Sequence, residues 1–232
     1  MTPRILDLFC GAGGAGKGYA DAGFEVGGVD LNPMPNYPFN YRKVSALEVL
    51  VEMINPTRRW DWLVGFDAIH ASPPCQASSA LTKGTNRATK AQNHINLIPA
   101  VRELLNLTGL PYVIENVQGA QVRRDLTLCG EMFGLNVIRH RYFELGNWAT
   151  PEPAHVPHRG RVQGWRHGTY FDGPYFAVYG DGGGKGSIPD WQEAMGIDWT
   201  DDRKELAEAI PPAYTQFVGE RLAAALIEQV AA

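Results

Sequence analysis

The first 30 residues constrain the fold most, because they follow the pattern of a strand, a glycine-rich turn, a helix and a second strand. A short apolar strand is predicted at residues 5–9, and the turn Cys-Gly-Ala-Gly-Gly-Ala-Gly follows it. Residues 17–23 are predicted as a helix, and a strand at residues 24–29 ends at Asp30. Such a turn exposes backbone N–H groups to a ligand, and an acid at the next strand end accepts hydrogen bonds from ribose hydroxyls. The unit predicts an α/β fold with a nucleoside-cofactor site, although the turn alone has a purely structural explanation.

A second constraint is the sequence Pro73-Pro74-Cys75-Gln76, which follows an apolar run at residues 66–71 that is predicted as a buried strand. Each proline fixes its own φ and restricts the residue before it, so Cys75 is held at a strand end. A cysteine acts as a nucleophile only as the thiolate, which its surroundings must favour. Taken alone, Cys75 has the simpler interpretation of a small buried apolar side chain.

The third segment is Pro-Tyr-Val-Ile-Glu-Asn-Val at residues 111–117, which is predicted as a central strand with Glu115 at its carboxyl end. Open parallel sheets place their sites outside these ends. The glycine turn, Asp30, Cys75 and Glu115 are therefore expected along one rim of the sheet. By itself, Glu115 is equally consistent with an exposed strand end or a helix cap.

Together these segments resemble the DNA (cytosine-5) methyltransferases. The matching motifs occur in the family's order and are Asp-Leu-Phe-Cys-Gly-Ala-Gly-Gly at 7–14, Pro-Pro-Cys-Gln at 73–76, Glu-Asn-Val at 115–117, Arg-His-Arg at 139–141 and Ile-Pro-Pro at 210–212. The resemblance implies a Rossmann-like S-adenosylmethionine-dependent methyltransferase fold with a mostly parallel central sheet. It also implies a catalytic and cofactor-binding core at 1–146, a short target-recognition lobe at 147–201, and C-terminal helices at 202–232 that return to the core.

The family's chemistry assigns a role to each motif. Cys75 is expected to add to C6 of cytosine, so that C5 becomes able to attack a methyl group. Protonated Glu115 would donate a hydrogen bond to N3 of the base, Arg141 would bind its O2 carbonyl, and Arg139 would support the thiol region. The base must leave the DNA stack to reach the site. Without the resemblance, the two arginines would be read as phosphate contacts or solvated side chains.

The resemblance implies S-adenosylmethionine as cofactor. Phe9 would stack on the adenine, Asp30 would bind the ribose, Leu31 would lie beside the adenine, and Pro74 would line the pocket between cofactor and base. The glycine turn would approach the cofactor with its backbone through Gly11, Ala12, Gly13 and Gly14. The alternative for Phe9 is packing in the core.

The charge distribution bears on the partner. The net charge is −4, but residues 77–166 carry 11 basic and 6 acidic side chains, a balance of +5, and the rest of the chain carries −9. A polyanion such as double-stranded DNA would meet this middle part, unless its charges are simply solvated. Residues 77–93 are polar and basic and are expected to form a lid. The residues predicted to contact DNA are Gln76, Ser79, Lys83, Arg87 and Lys90.

Composition excludes other classes of protein. No run of 18 apolar residues is present and the N-terminus has no signal-like pattern, so neither a membrane span nor secretion is expected. Cys10, Cys75 and Cys129 are too widely spaced for a disulfide framework or a zinc signature, which favours a cytoplasmic protein. His155-x-x-His158, with His167 nearby, has no neighbouring cysteine or carboxylate cluster, so no metal is expected. A monomer of bacterial or bacteriophage type is expected, in keeping with restriction-modification.

Other elements are predicted from apolar spacing and turn residues. They are a turn region at 34–41, helices at 46–54, 95–107, 203–209 and 216–230, a helix–turn element within 122–134, and a strand at 137–145 that places Arg139 and Arg141 on one face.

The chain departs from the family's pattern in four places. Ala-Ser-Ser at 77–79 replaces Pro-Phe-Ser, Val137 begins the Gln-x-Arg-x-Arg motif, Ala207-Glu208 replaces Gly-Asn, and no acid stands near Ser45. Two rival functions remain at this stage. One is a DNA-binding protein that keeps the fold without turnover, and the other is a cysteine-dependent transferase that acts on free nucleotides.

Overall fold

A seven-stranded sheet forms the centre of the protein. The computed structural model describes residues 2–57, 59–74, 96–166, 168–180 and 186–231. The strands lie in the order β3-β2-β1-β4-β5-β7-β6, with the first five parallel and β7 antiparallel to both of its neighbours. Their bounds are Arg4–Leu8 (β1), Glu25–Asp30 (β2), Asn40–Lys43 (β3), Ala68–Ala71 (β4), Tyr112–Val117 (β5), Leu126–Leu128 (β6) and Arg141–Gly146 (β7). The predicted α/β fold with a mostly parallel sheet is confirmed.

Helices cover both faces of the sheet. They are Gly14–Asp21 (α1), Ala46–Ile54 (α2), Ile98–Thr108 (α3), Ile188–Met195 (α4), Arg203–Glu208 (α5) and Pro212–Ala231 (α6). Helices α1 and α6 pack together on one face, where Ile5 and Val113 face Tyr214 and Val218. Helices α2 and α3 cover the opposite face. The alternation of side chains along a strand assigns each strand residue to one of these two layers.

The alternation also places three polar side chains on the α1/α6 face. Asp7 shares that face with Ile5, His70 with Ala68, and Glu115 with Val113. Asp7 is paired with His70 in the register of β1 and β4. All three side chains are at least 95% buried, since their relative exposures are 0%, 0% and 5%. The sheet therefore carries a row of buried polar groups that leads toward its carboxyl edge.

A third apolar cluster joins helices α4 and α5 to the segments before β7 and before α4, and it includes Val137, Val178, Trp191 and Leu206. A two-stranded hairpin, Gly164–Arg166 (β8) and Thr169–Phe171 (β9), follows a segment without helix or strand. This segment, residues 147–163, is called the coil segment below. No helix in the described part of the chain combines the length and the apolar character needed to cross a bilayer.

Several predicted elements differ from those in the structure. Residues 122–134 form strand β6 and a 3-10 turn, Gly130–Phe133, instead of a helix–turn element. The predicted strand at 137–145 begins only at Arg141, and strand β3 falls partly within a region predicted as a turn. The last helix begins at Pro212 instead of residue 216, because proline is tolerated in a first helical turn, where its missing N–H has no partner to lose.

Candidate active site

The glycine turn after β1 has an unusual backbone. Phe9, Gly11 and Gly13 have φ values of 59°, 50° and 89°. Positive φ is rare for a bulky residue, and strained conformations of this kind concentrate at functional sites. A Cβ added at Gly11 would meet nothing within 4 Å, whereas one added at Gly14 would lie 2.2 Å from the Ile210 carbonyl oxygen. Gly11 thus borders open space, and Gly14 is required by packing against the C-terminal segment.

Asp30 links the end of β2 to this turn. Its Oδ2 accepts a hydrogen bond from Gly11 N (3.2 Å), and its Oδ1 accepts one from Asn32 N (2.8 Å). Each carboxylate oxygen offers two acceptor sites, so the group can still accept hydrogen bonds from a ligand. Leu31 follows at the rim with a relative exposure of 67%. The open space at Gly11, the held carboxylate and the exposed apolar side chain fit a nucleoside.

The other side of the turn is fixed by a residue that the sequence did not suggest. Trp199 Nε1 donates a hydrogen bond to the Ala12 carbonyl oxygen (2.8 Å). The contact joins residues 187 positions apart in the chain. No local pattern identifies such a partner, because the contact exists only after the C-terminal part folds back onto α1.

The proline pair before Cys75 is anchored to β5. Asn116 Nδ2 donates a hydrogen bond to the Pro73 carbonyl oxygen (2.8 Å), and both groups are buried. Pro73 is buried and Pro74 is exposed at the end of the described segment. The predicted residues Cys75, Gln76, Ser79, Lys83, Arg87 and Lys90, and the predicted lid at 77–93, lie outside the described residues. Their roles stay predictions.

Glu115 lies at the carboxyl end of β5, beside Asn116, and is 5% exposed. Arg141 Nε lies 3.0 Å from Glu115 Oε1, although no well-aligned hydrogen bond reaches Oε1 from the residues that are described. Burial raises the pKa of Glu115, and the charge of Arg141 and a hydrogen bond from Ser72 oppose this rise only in part. The net effect favours the protonated carboxyl group more than in water.

The two predicted arginines have different surroundings. Arg141 is the first residue of β7 and forms an ion pair with Glu115. Arg139 precedes the strand, and its Nη1 and Nη2 donate to the carbonyl oxygens of Val178 (2.8 Å) and Ala207 (2.5 Å). The prediction that both lie on one face of a single strand is therefore wrong, because regular pairing starts after Arg139. Its guanidinium holds the C-terminal region against the sheet.

A series of buried and partly buried hydrogen bonds reaches Glu115 from α1. Tyr19 Oη lies 3.0 Å from His70 Nδ1, and His70 Nε2 lies 2.9 Å from Ser72 Oγ. Ser72 in turn contacts Glu115. Burial lowers the pKa of His70 to about 3, so its ring is neutral and donates through one nitrogen while accepting through the other. This series of hydrogen bonds was not predicted from the sequence. The only signal was that His70 and Ser72 are two positions apart, as residues on one face of a strand are.

Asp7 is a further buried acid beneath the glycine turn. Its Oδ2 accepts a hydrogen bond from Tyr37 Oη (3.0 Å), and its Oδ1 receives none from any described residue. Burial raises the pKa of Asp7 to about 7, with the hydrogen bond from Tyr37 acting in the opposite direction. Burial of Cys10 raises the pKa of its thiol, and the negative charges of Asp7 and Asp30 raise it further. Cys10 is therefore a poor source of thiolate.

Some known proteins are similar to this chain in sequence. No protein-family model matches the chain. M.AgeI of Thalassovita gelatinovora, a type II methyltransferase, is 27% identical over 205 residues, which cover 74% of this chain and 47% of that protein. The type II methyltransferase M.XorII of Xanthomonas oryzae pv. oryzae is 31% identical over 167 residues, covering 66% and 39%. The chain is distantly similar to type II methyltransferases. The predicted resemblance is confirmed, and the chain spans less than half the length of these two relatives.

Solved structures agree at the level of the fold. A protein described as a DNA modification methyltransferase encoded within an E. coli prophage superposes with a TM-score of 0.61 at 13% identity, covering 97% of this chain and 99% of that one. The S. pombe Dnmt2 methyltransferase gives a TM-score of 0.53 at 14% identity, covering 98% and 99%. The predicted methyltransferase fold is confirmed by these matches.

Proposed function

We propose that the protein transfers a methyl group from S-adenosylmethionine to C5 of cytosine in double-stranded DNA. The observation that carries this proposal is the position of Glu115. It is a buried acid with a raised pKa, 3.0 Å from Arg141, on the sheet edge that also holds the glycine turn and Asp30. The segment leading to Cys75 is bonded to the residue next to Glu115. A nucleophile, an acid and a nucleoside site along one rim are what this reaction requires.

Cys75 would begin the reaction. Ring C5 of cytosine is a weak nucleophile, and addition of the thiolate to C6 breaks the aromatic system and makes C5 enamine-like. A new S–C6 bond would form as the displaced electron pair moves toward N3. That pair would then return through C5 to form the C5–methyl bond, while the methyl group's bond to the sulfonium sulfur breaks and the donor leaves as a neutral thioether. Later loss of the C5 proton and expulsion of the thiolate break the S–C6 bond and restore the ring. The cysteine therefore returns to its starting state after each turnover.

Glu115 would select the base and stabilise the charge that reaches N3. Its raised pKa favours the protonated form, which donates a hydrogen bond to N3 of cytosine, an acceptor. The N3–H group of thymine is a donor and would face another donor. Arg141 lies against the same carboxyl group, where its cationic N–H groups can bind the O2 carbonyl. The pair thus reads the edge of a base that has left the stack.

The cofactor would lie along the glycine turn. Asp30 would accept hydrogen bonds from the ribose hydroxyls. The backbone of the glycine turn would contact the cofactor at Gly11, Ala12, Gly13 and Gly14. The apolar walls of the site would be formed by Phe9, Leu31 and Pro74. When bound, S-adenosylmethionine supplies an electrophilic methyl group. Ser45 directly precedes α2, at a place where the family has an acid, and Glu208 is exposed at the end of α5. The side of the site near Ser45 therefore carries one negative charge fewer than in the family's pattern.

DNA would be bound by the basic middle of the chain. Its +5 balance suits a polyanion, and the contacts would come from Gln76, Ser79, Lys83, Arg87 and Lys90. We assign residues 1–146 to the catalytic core, residues 147–201 to target recognition and residues 202–232 to helices that brace the core. The packing of α6 on α1 supports the last assignment.

The test uses the full chain with labelled S-adenosylmethionine and mixed-sequence DNA, followed by base-resolution sequencing. Label at C5 of cytosine is the expected result. DNA that carries 5-fluorocytosine should trap a covalent adduct, because fluorine cannot leave as the C5 proton does. Single-stranded DNA and RNA of the same sequence serve as parallel substrates.

The matched control compares two thiols. Cys75→Ala should abolish both transfer and adduct, whereas Cys10→Ala should still form the adduct, because burial disfavours the Cys10 thiolate. Label in adenine, label only in RNA, or transfer by Cys75→Ala would each overturn the proposal.

A further inference from the structure

Four potential metal ligands meet near the point where β6 ends and β7 begins. Cys129 Sγ lies 3.5 Å from His158 Nε2, and His140 Nε2 lies 3.1 Å from His155 Nε2. One ligand atom from each of the four residues lies within 4.8 Å of every other. The sequence-based expectation of no metal assumed that no cysteine accompanies these histidines. That assumption is wrong, because folding brings Cys129 and His140 to them.

Two of the six distances between the ligand atoms are close to those around a tetrahedral ion, and all four atoms lie within 4.8 Å of one another. With Zn–N bonds of about 2.0–2.1 Å and a Zn–S bond of about 2.3 Å, ideal tetrahedral angles separate two nitrogens by about 3.3 Å and nitrogen from sulfur by about 3.6 Å. The observed 3.1 Å and 3.5 Å are close to both values. Without an ion, two Nε2 atoms at 3.1 Å must share one proton. An ion at the centre would use both lone pairs.

We propose that Cys129, His140, His155 and His158 bind one Zn²⁺ ion in a closed, structural site. A set of one thiolate and three imidazoles suits this ion, whose structural sites are four-coordinate and hold no water. Such a set supplies four protein ligands and leaves no position for a substrate. The ion would therefore crosslink two parts of the chain and would not form a second reaction centre.

The location explains what the ion would hold. His155 and His158 belong to the coil segment, which has no helix or strand across residues 147–163. Cys129 and His140 flank the connection between β6 and β7. The ion would therefore attach a segment that lacks backbone pairing to the edge of the sheet.

The surrounding contacts already bring the two parts together. Glu152 Oε1 accepts a hydrogen bond from Thr127 N (2.9 Å), and Arg159 Nε lies 2.8 Å from Glu131 Oε1. These contacts lie on either side of the histidine pair in sequence. Tyr175 Oη also bonds to Glu131 and accepts from Arg159 N (2.8 Å). The ligands are thus brought together by contacts that do not involve the ion.

Solvent can reach the site. A groove of about 560 Å³ is lined by Arg124, Thr127, His140, Glu152, Pro153, Ala154 and His155. Two of the four ligands lie on its wall, so an ion can enter from this side. His140 also stands between Arg139 and Arg141, so a bound ion would fix the backbone from which both arginines extend.

The experiment measures metal in the full chain, purified without a histidine tag or chelator after growth with added Zn²⁺. Elemental analysis by inductively coupled plasma mass spectrometry should find about one Zn²⁺ per chain. Replacement by Co²⁺ should give the strong visible bands of a tetrahedral site and a near-ultraviolet thiolate-to-cobalt band. Cys129→Ser should lose the thiolate band.

Two further variants keep the test decisive if Cys129→Ser fails to fold. His155 is exposed, so His155→Ala should fold, as judged by circular dichroism, and should bind Co²⁺ more than about 100-fold more weakly. His167→Ala, which changes a histidine outside the four, should bind Co²⁺ like wild type. A chain with no stoichiometric metal and only an octahedral Co²⁺ spectrum would overturn the proposal. Equal Co²⁺ affinity of wild type and His155→Ala would do the same.

Discussion

The rim of the sheet and the coil segment hold their side chains in opposite ways. At the rim, Asp30 and Glu115 stand at the ends of strands whose backbones are fixed by ladder hydrogen bonds to neighbouring strands. The coil segment has no strand pairing apart from an isolated bridge at Val162. Its side chains Glu152 and Arg159 contact strand β6 and the 3-10 turn that follows it. In one region the backbone positions the side chains. In the other the side chains position the backbone.

The electrostatics of the two regions differ for the same reason. The rim acids Asp7 and Glu115 are buried, so small changes in their surroundings shift their pKa values strongly. Glu152 and Arg159 are exposed, where water and salt screen their interactions. Substitutions of the buried rim acids should therefore have large and specific effects, and substitutions of exposed ion-pair and hydrogen-bonding residues such as Glu152 should have small ones.

The largest expected effect is on catalysis by Glu115→Gln. The amide has nearly the same shape but cannot carry the acid's proton to N3, so kcat should fall by about 10²- to 10⁴-fold. Cofactor affinity should change little, because Asp30 and the glycine turn are untouched. Steady-state kinetics and calorimetric titration with S-adenosylmethionine measure the two quantities.

The control is Glu193→Gln, which removes an exposed carboxylate on α4. It should retain the wild-type kcat. If Glu115→Gln were as active as this control, the rim would not contribute to the chemistry in the proposed way.

The next effect concerns the pH dependence of stability through Asp7. Its pKa is about 7 in the folded protein and lies near its ordinary value when unfolded, so the folded state binds the extra proton and stability falls as pH rises. Between about pH 5 and about pH 8, this one group should lower the free energy of unfolding by about 2–3 kcal/mol.

Asp7→Asn should remove that slope. Because buried His70 acts in the opposite direction as pH falls, the quantity to measure is the difference between wild type and variant in urea unfolding at each pH. Parallel stability–pH curves for the two proteins would contradict the assignment of Asp7.

A third test compares alanine substitutions of one glycine in each region. At Gly14 the new Cβ would lie 2.2 Å from the Ile210 carbonyl oxygen, and the backbone must move, so Gly14→Ala should cost about 1–3 kcal/mol of stability. At Gly160, in the coil segment, the nearest atom is the side-chain Pro174 Cδ at 3.0 Å. Because the coil backbone can shift, Gly160→Ala should change stability by less than about 0.5 kcal/mol. Equal costs would show that the coil segment is as rigid as the rim.

The smallest effect is expected for Glu152→Ala. It removes one hydrogen bond to Thr127 N at an exposed site, where water can replace it, and should cost about 0.5 kcal/mol. Glu152→Gln keeps an acceptor and should be close to wild type. Chemical denaturation of both variants measures the difference. A loss above about 2 kcal/mol for Glu152→Ala would mean that a single side chain secures the coil segment.

The parts of the candidate site that sequence predicted were local. The glycine turn and Asp30 belong to one strand–helix–strand unit, and Glu115 ends a strongly apolar strand, so pattern alone placed them on one rim. The chain from Tyr19 through His70 and Ser72 to Glu115 escaped prediction, because it joins α1, β4 and β5. The hydrogen bond from Trp199 to Ala12 was not predicted either, because the two residues are 187 positions apart in the chain.

The sequence by itself determined the α/β class, the order of the motifs and the residue types able to perform methyl transfer, because strand periodicity, glycine turns and proline restraints act over a few residues. Only the tertiary structure decided which acids are buried, how Arg139 and Arg141 diverge, and that Cys129 meets three histidines from other parts of the chain. Burial and side-chain convergence depend on residues far apart in sequence. Their pKa values and ligand geometry therefore exist only once the sheet and its layers have assembled.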